Sequence, residues 1–239
     1  MADHSFNVDV NVDVLAFDVF GTVVDWHGSI CREVAELGLD VEPAEFVRAW
    51  RDGYQPAMQR VRSGELGWTR IDDLHRMILD EVLASFGISL SEADCKHLNT
   101  SWHRLEPWPD VLSGLNRLKP HYQLCTLSNG NLLLLSNMAK RAQLPWDLIL
   151  SAEVFRAYKP DPETYLGVAS TFDVAPDRVM LVAAHQSDLD AARACGLKTA
   201  YVERAEEYGK DAIKDVSGDE NNDLHVRHFG ELADRLAPK

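Results

Sequence analysis

Short apolar runs that stop abruptly at polar residues set the strongest limit on how this chain can fold. "VDVLAF" stops at Asp18, "YQLCTL" at Ser128-Asn129-Gly130, "RVMLVAA" at His185, and "KTAYVE" follows Gly196. Runs of this length without clean polar alternation suit strands covered on both faces, as in a parallel sheet. Between them lie helical patterns, "NLLLLSNMAKRAQL", "PETYLGVASTF" and "SDLDAARACGL", the last closed by a C-cap glycine, Gly196. Strand and helix alternate, so the expected class is α/β, with a doubly wound parallel-sheet, Rossmann-like core.

Residues 28–104 break that rhythm and read as helix after helix: "SICREVAELGL", "PAEFVRAWRDGYQPAMQRVRSG", "TRIDDLHRMILDEVLASFG" and "SEADCKHLNTSWHRL". Apolar positions in "IDDLHRMILDEVLASF" recur at three- and four-residue spacing, the mark of an amphipathic helix. The expected organisation is an α/β core of 1–27 and 105–239, with a helical cap of 28–104 inserted after the first strand. A cleft should lie between them. "KDVSGDENNDL", 214–224, reads as a solvated polar loop.

Charge narrows the range of partners. Lys and Arg total 24 against 38 Asp and Glu, a formal net charge of −14, which opposes phosphate backbones and anionic lipid surfaces. Neither nucleic acid nor membrane is an expected partner, and an anion site must rest on local cations and backbone N–H groups. Cys31, Cys95, Cys125 and Cys195 are widely spread with no C-x-x-C pair, which suits buried thiols in a reducing compartment. "MADHSFNVDVNV" has neither a basic n-region nor a long apolar core, and no stretch of about eighteen uncharged apolar residues occurs. The expectation is a soluble, cytoplasmic protein.

Open parallel sheets bind ligands outside the carboxyl ends of their strands. Asp18, Ser128-Asn129 and the loop at 183–188 all fall on that edge in this reading, with Lys159 of "RAYKPDPETY" on a further loop. Each has a plain structural alternative: a turn-forming Asp, a Ser-Asn-Gly turn, a solvated Lys. Their convergence at one edge favours a site.

Asp18-x-x-x-Thr22, Ser128-Asn129, Lys159-Pro160 with Tyr165, and Asp188 resemble the four motifs of the haloacid dehalogenase superfamily. "FDVFGTVVD", "WRDGY" and "LSNG" resemble its L-2-haloacid dehalogenase branch, and the likeness covers nearly the whole chain. It implies a hydrolase of carbon-halide bonds in short 2-haloalkanoic acids. Asp18 attacks C2 to give an ester, which water opens to a 2-hydroxy acid of inverted configuration, with no metal or organic cofactor. It further implies that Lys159 lowers the Asp18 pKa and balances the substrate carboxylate, and that Arg51 receives the halide beside Asn129. Ser128 and Thr22 hold the substrate carboxylate or Asp18, and Asp188 anchors Lys159 and orients water. Phe20, Tyr165 and Trp68 are the expected apolar wall, and a homodimer is compatible with the family.

Superfamily phosphatases carry a second Asp where this chain has Phe20, and an aromatic ring delivers no proton. They also commonly place a magnesium-binding Asp at the position of Ala184, so a hard oxygen shell would be short of ligands. A leaving group that needs no proton, such as halide, fits better, and carboxylates are established covalent nucleophiles. The chain departs from the branch at "AAHQSD", 183–188, where many relatives have serine, asparagine and an aromatic. His185 is expected to replace the asparagine in positioning water, and the more polar Ser187 region admits fluoroacetate as a substrate. A superfamily phosphatase, a hydrolase of another activated carbon centre and a non-enzymatic binding protein remain the alternatives.

Overall fold

The computed structural model describes residues 11–237. The opening residues 1–10, read above for a leader and as the start of the core, and the last two residues of the expected core lie outside the described residues.

Eight strands are present among the described residues: β1 (Val14–Phe17), β2 (Val24–Asp25), β3 (Glu106–Pro107), β4 (Gln123–Ser128), β5 (Leu148–Ser151), β6 (Val179–Ala183), β7 (Lys198–Val202) and β8 (Leu224–Val226). Six form one parallel sheet in the order β5-β4-β1-β6-β7-β8. Strand β1 is central, pairing Phe17 with Thr126 on one side and with Val182 on the other. The four apolar runs of the sequence are β1, β4, β6 and β7. Strands β5 and β8 extend the sheet at either edge. "LILS" is half open to solvent and "LHV" is three residues long, which left little apolar pattern to read.

Side chains alternate across the sheet with the period of two that strands impose. Leu15, Phe17, Met180 and Val182 join one apolar cluster, while Val14, Ala16, Leu181 and Ala183 join the other. The second cluster packs against Tyr165, Val168 and Leu189 of the helices Pro162–Phe172 and Gln186–Ala194. The first runs on without a break into the helical segment, through Trp26, Phe46, Trp50, Leu74 and Trp102.

That segment begins and ends at a two-stranded antiparallel ribbon, with Val24 opposite Pro107 and Asp25 opposite Glu106. Between the two strands run helices Trp26–Glu36, Pro43–Asp52, Tyr54–Arg62, Ile71–Ser85 and Glu92–Asn99, then a 3-10 turn Thr100–Arg104. The stretch 43–64, which the sequence suggests is continuous, is broken at Gly53. Pro56 has no N–H for the carbonyl of residue 52, so the first helix stops and a second restarts. A Cβ at Gly53 would also lie 2.4 Å from Ile78 Cγ2, so the break lets the Ile71–Ser85 helix pack close.

The four cysteines are unpaired. No helix among the described residues is long and apolar enough to cross a membrane.

Candidate active site

Asp18 is the first residue beyond β1, where strand order diverges to β4 on one side and β6 on the other. That is the crevice where doubly wound sheets hold ligands. Its N–H still donates to Val182 O at 3.0 Å, so the backbone is held in strand register up to the site. The side chain is buried, 6% exposed, and both of its oxygens are engaged. Oδ2 accepts the Thr22 hydroxyl at 2.7 Å and lies 3.1 Å from His185 Nδ1, while Oδ1 accepts Lys159 Nζ at 2.9 Å. Thr22 Oγ1 in turn accepts the Ala184 N–H at 2.9 Å, which ties the ends of β1 and β6 together beneath the carboxylate.

Lys159 is buried between two acids. Nζ donates to Asp18 Oδ1 and to Asp188 Oδ2, and its backbone N–H donates to Asn129 Oδ1 at 2.8 Å. Asp188 lies in the first turn of Gln186–Ala194 and also accepts the Tyr165 hydroxyl at 2.6 Å. Burial alone would raise the Asp18 carboxyl. The Lys159 charge and the His185 hydrogen bond override it, holding the carboxyl far below its usual range. Burial likewise works to discharge Lys159, and the charges of Asp18 and Asp188 outweigh it, moving its pKa upward. The carboxylate is therefore ionised at neutral pH.

His185 bridges two carboxylates, with Nδ1 toward Asp18 and Nε2 at 2.7 Å from Glu207 Oε1. Glu207 is fully buried. It also accepts the Trp26 indole N–H at 3.2 Å, and its Oε2 accepts Lys214 Nζ at 2.6 Å. Lys214 Nζ reaches Ala184 O at 2.6 Å as well. Burial raises the Glu207 carboxyl, but the His185 charge and hydrogen bond, followed by Lys214, bring it down to about 2.

Asp18, Phe20, Asn129, Lys159, Tyr165, His185 and Asp188 line a cavity of about 400 Å³. Arg51 faces them from the helical segment, with Asp52, Tyr54 and Gln55 beside it. Its guanidinium carbon sits 4.1 Å from the centre of the Tyr54 ring and 5.4 Å from that of Trp26. Three expectations change. Trp68 is not in the cavity wall, because its ring packs 5.0 Å from Tyr158 and beneath Arg156 at 5.8 Å. Ser128 is fully buried behind the wall, its Oγ accepting the Gly130 N–H at 3.1 Å. His185 has both ring nitrogens on carboxylates, so neither is left to hold a water. Tyr165 lines the cavity, and its hydroxyl bonds to Asp188 at 2.6 Å rather than adding an apolar face.

Glu207, Lys214 and Tyr208 were not singled out in the sequence. They lie after β7 in a stretch without helical or strand periodicity. The available hint was His185 itself, since an imidazole at a buried strand end needs hydrogen-bond partners.

The family model for haloacid dehalogenase-like hydrolases matches residues 12–196. The chain belongs to this family. It is 30% identical over 200 residues to (S)-2-haloacid dehalogenase 1 of Pseudomonas sp. (strain CBS-3), which covers 79% of this chain and 83% of that one. Among solved structures, the L-2-haloacid dehalogenase PA0810 superposes with a TM-score of 0.91 at 44% identity, over 95% of this chain and 100% of that one. The defluorinating L-2-haloacid dehalogenase Rha0230 gives 0.91 at 39% identity, over 99% of both.

Among the described residues of this haloacid dehalogenase-like hydrolase, no group of three or more His, Cys, Asp or Glu side chains is arranged to hold a metal ion. The geometry offers an ionised carboxylate at a cavity wall, a buried lysine beside it, and an arginine on the facing wall. That set suits nucleophilic attack by oxygen with stabilisation of an anion that leaves.

Proposed function

We propose that the protein is a hydrolytic dehalogenase of short 2-haloalkanoic acids, with Asp18 as nucleophile. One observation carries this reading: the buried, ionised Asp18 has Lys159 on Oδ1 and the apolar ring of Phe20 beside it in the cavity, with no carboxylic acid at that position. Attack at C2 forms the Oδ1–C2 bond as the carbon-halogen bond breaks, and the electron pair leaves with the halide. No proton is required of the enzyme at this stage, which is why Phe20 can stand where a phosphatase needs an acid. Water then attacks the ester carbonyl of Asp18 and releases the 2-hydroxy acid.

Arg51 would receive the halide, its charge answering the negative charge as it develops. Asn129, whose Nδ2 donates to Met58 Sδ at 3.4 Å, would line the same place. Lys159 would balance the substrate carboxylate while keeping Asp18 ionised, with Asp188 and Tyr165 holding the ammonium in position. Thr22 orients Asp18 from below. In this reading 28–104 is a cap over a core of 1–27 and 105–239, and the protein works in the cytoplasm, with a homodimer compatible with the family. The likeness to a defluorinating enzyme brings fluoroacetate into the substrate panel.

The test is halide release from chloroacetate, (S)-2-chloropropionate and fluoroacetate without added metal, in water enriched in heavy oxygen. Wild type should release halide and place heavy oxygen in Asp18 over repeated turnovers. Asp18→Asn should lose at least ~10⁴-fold in rate, since nucleophile deletions commonly cost that much or more. Retained activity in Asp18→Asn, or an aspartate that never takes up label, would overturn the reading.

A further inference from the structure

Two acceptor-only neighbours dictate the state of the imidazole between them. Ionised Asp18 and Glu207 have no hydrogen to give, so both His185 nitrogens must donate and the ring carries a positive charge. The chain makes room for this. Gly21 has φ +85°, and a Cβ there would lie 2.2 Å from Glu207 Oε1. The glycine of the first motif therefore opens the slot through which Glu207 reaches the histidine.

Charged groups approach His185 from several elements. Asp18 with Lys159 lies on the nucleophile side, Glu207 and Lys214 come from the segment after β7, and Asp188 is on its own helix. Arg51 and Asp52 face it across the cavity. Asp18 and Glu207 meet the ring directly, while Lys159 and Lys214 each bond to the far oxygen of one of these acids. Burial pulls the imidazole pKa down, and the charge of Glu207 with the bonds from both acids carries it up to about 9.

We propose that Glu207 is a positioning residue for the second half of the reaction: it holds His185 as an imidazolium whose Nδ1–H, beside the Thr22 hydroxyl, stabilises the oxyanion formed on Asp18 Oδ2. The proposal rests on Asp18 being the nucleophile, as read above. Oδ2 already accepts two donors, whereas Oδ1 accepts Lys159 and keeps a lone pair for C2. When water adds to Cγ of the ester, the Cγ–Oδ2 π electrons move onto Oδ2. On collapse they return, and the Cγ–Oδ1 bond breaks. Oδ1 departs as the 2-hydroxyl oxygen with one water proton, the second proton passes to solvent, and Asp18 keeps the solvent oxygen. His185 donates hydrogen bonds throughout and transfers no proton, so it is not the base for the attacking water.

The sign of the pH dependence tests this. Ester hydrolysis should slow as pH rises through the imidazolium's titration, whereas a neutral histidine base would make it speed up. Single turnovers with chloroacetate are quenched between about pH 6 and 10, and the Asp18 adduct is followed by intact-protein mass spectrometry. In wild type its decay should fall with rising pH at a midpoint below the free enzyme's value of about 9, because the esterified Asp18 no longer lends its charge to the ring. In Glu207→Gln the falling limb should move at least about one unit lower, with decay at least ~10-fold slower on the plateau's alkaline side and adduct formation changed less than ~3-fold. Identical limbs in the two proteins, or decay that accelerates with pH, would overturn the role of Glu207. An adduct that never forms in wild type would instead remove the nucleophile reading. Should Glu207→Gln fail to fold, NMR titration of His185 in wild type decides: a ring charged at neutral pH supports the proposal, and a neutral ring there overturns it.

Discussion

The two walls of the cavity handle buried polarity in opposite ways. On the sheet side, Asp18, Lys159, Asp188, His185, Glu207 and Lys214 form one chain of alternating charge in which each group neutralises the next. On the helical side, Arg51 rests on the rings of Tyr54 and Trp26, and its Nη1 has no hydrogen-bond partner among the described residues. Nearby His75 is stacked 4.3 Å from Trp102, and neither ring nitrogen has a partner among the described residues. Two histidines thus diverge: carboxylates carry His185 up to about 9, while burial among rings brings His75 down to about 3. Burial sets only the cost of charge, and the partners decide whether a group stays charged. A wall of matched charges can hold a nucleophile ready. A wall of rings around an unmatched arginine leaves that cation free for an arriving anion.

The largest test of this contrast is Lys159→Met. It leaves Asp18 and Asp188 buried together without their shared cation, and breaking such a pair costs about 3–5 kcal/mol, or roughly 10 °C in melting temperature. The sign with pH follows from Asp18. Its folded pKa lies below the ordinary 3.8, so its contribution is present above that value and fades as pH falls through the folded one. The variant should lose most of that contribution, and halide release with it, since Asp18 is drawn toward its neutral form. Calorimetry and halide assay read both losses. A melting temperature unchanged from wild type would show that the sheet-side charges do not depend on one another.

Arg51→Met should separate the two properties. With no carboxylate among the described residues paired to the guanidinium, stability should change by less than about 1 kcal/mol, while halide release falls by about 10²–10³-fold, the usual cost of losing a stabilising charge at a reaction centre. A stability loss as large as that of Lys159→Met would erase the distinction between the walls.

How much of this could be read from the sequence depended on whether a feature is local. The central strands were legible because two-faced burial writes itself as unbroken apolar residues, as in the fully buried Val179–Ala183. Asp18 was legible because strand ends in a doubly wound sheet must converge, and Lys159 and Asp188, on a loop and in a helix's first turn, were legible through the resemblance to the family's motifs. The break at Gly53 was not, since the pattern of apolar residues continues across it and only Pro56 marks the restart. Glu207 was the least visible. An acid in an irregular stretch reads as solvated, and nothing local says that Gly21, Trp26, His185 and Lys214 enclose it. Trp68 erred the other way: an aromatic expected in the apolar wall packs instead on Tyr158.

The smallest effect belongs to His75, and it tests the helical wall alone. The folded pKa of about 3 lies below the free value of 6.5, so the unfolded chain binds more protons between those values. Stability should therefore fall as pH drops below 6.5, by about 2 kcal/mol between pH 7 and pH 5 from this residue. Asp72, the acid whose charge works to raise this pKa, is itself bound to His103 and Asn131. It therefore has little attraction to spare for a proton on His75. His75→Phe keeps a flat ring against Trp102 and removes both unpartnered nitrogens. Denaturant unfolding at the two pH values should show the variant's advantage over wild type widening by about 2 kcal/mol at the lower one. An advantage that stays constant would mean that the ring takes up its proton in the folded wall, and that rings and carboxylates do not divide the two sides of the cavity as their geometry indicates.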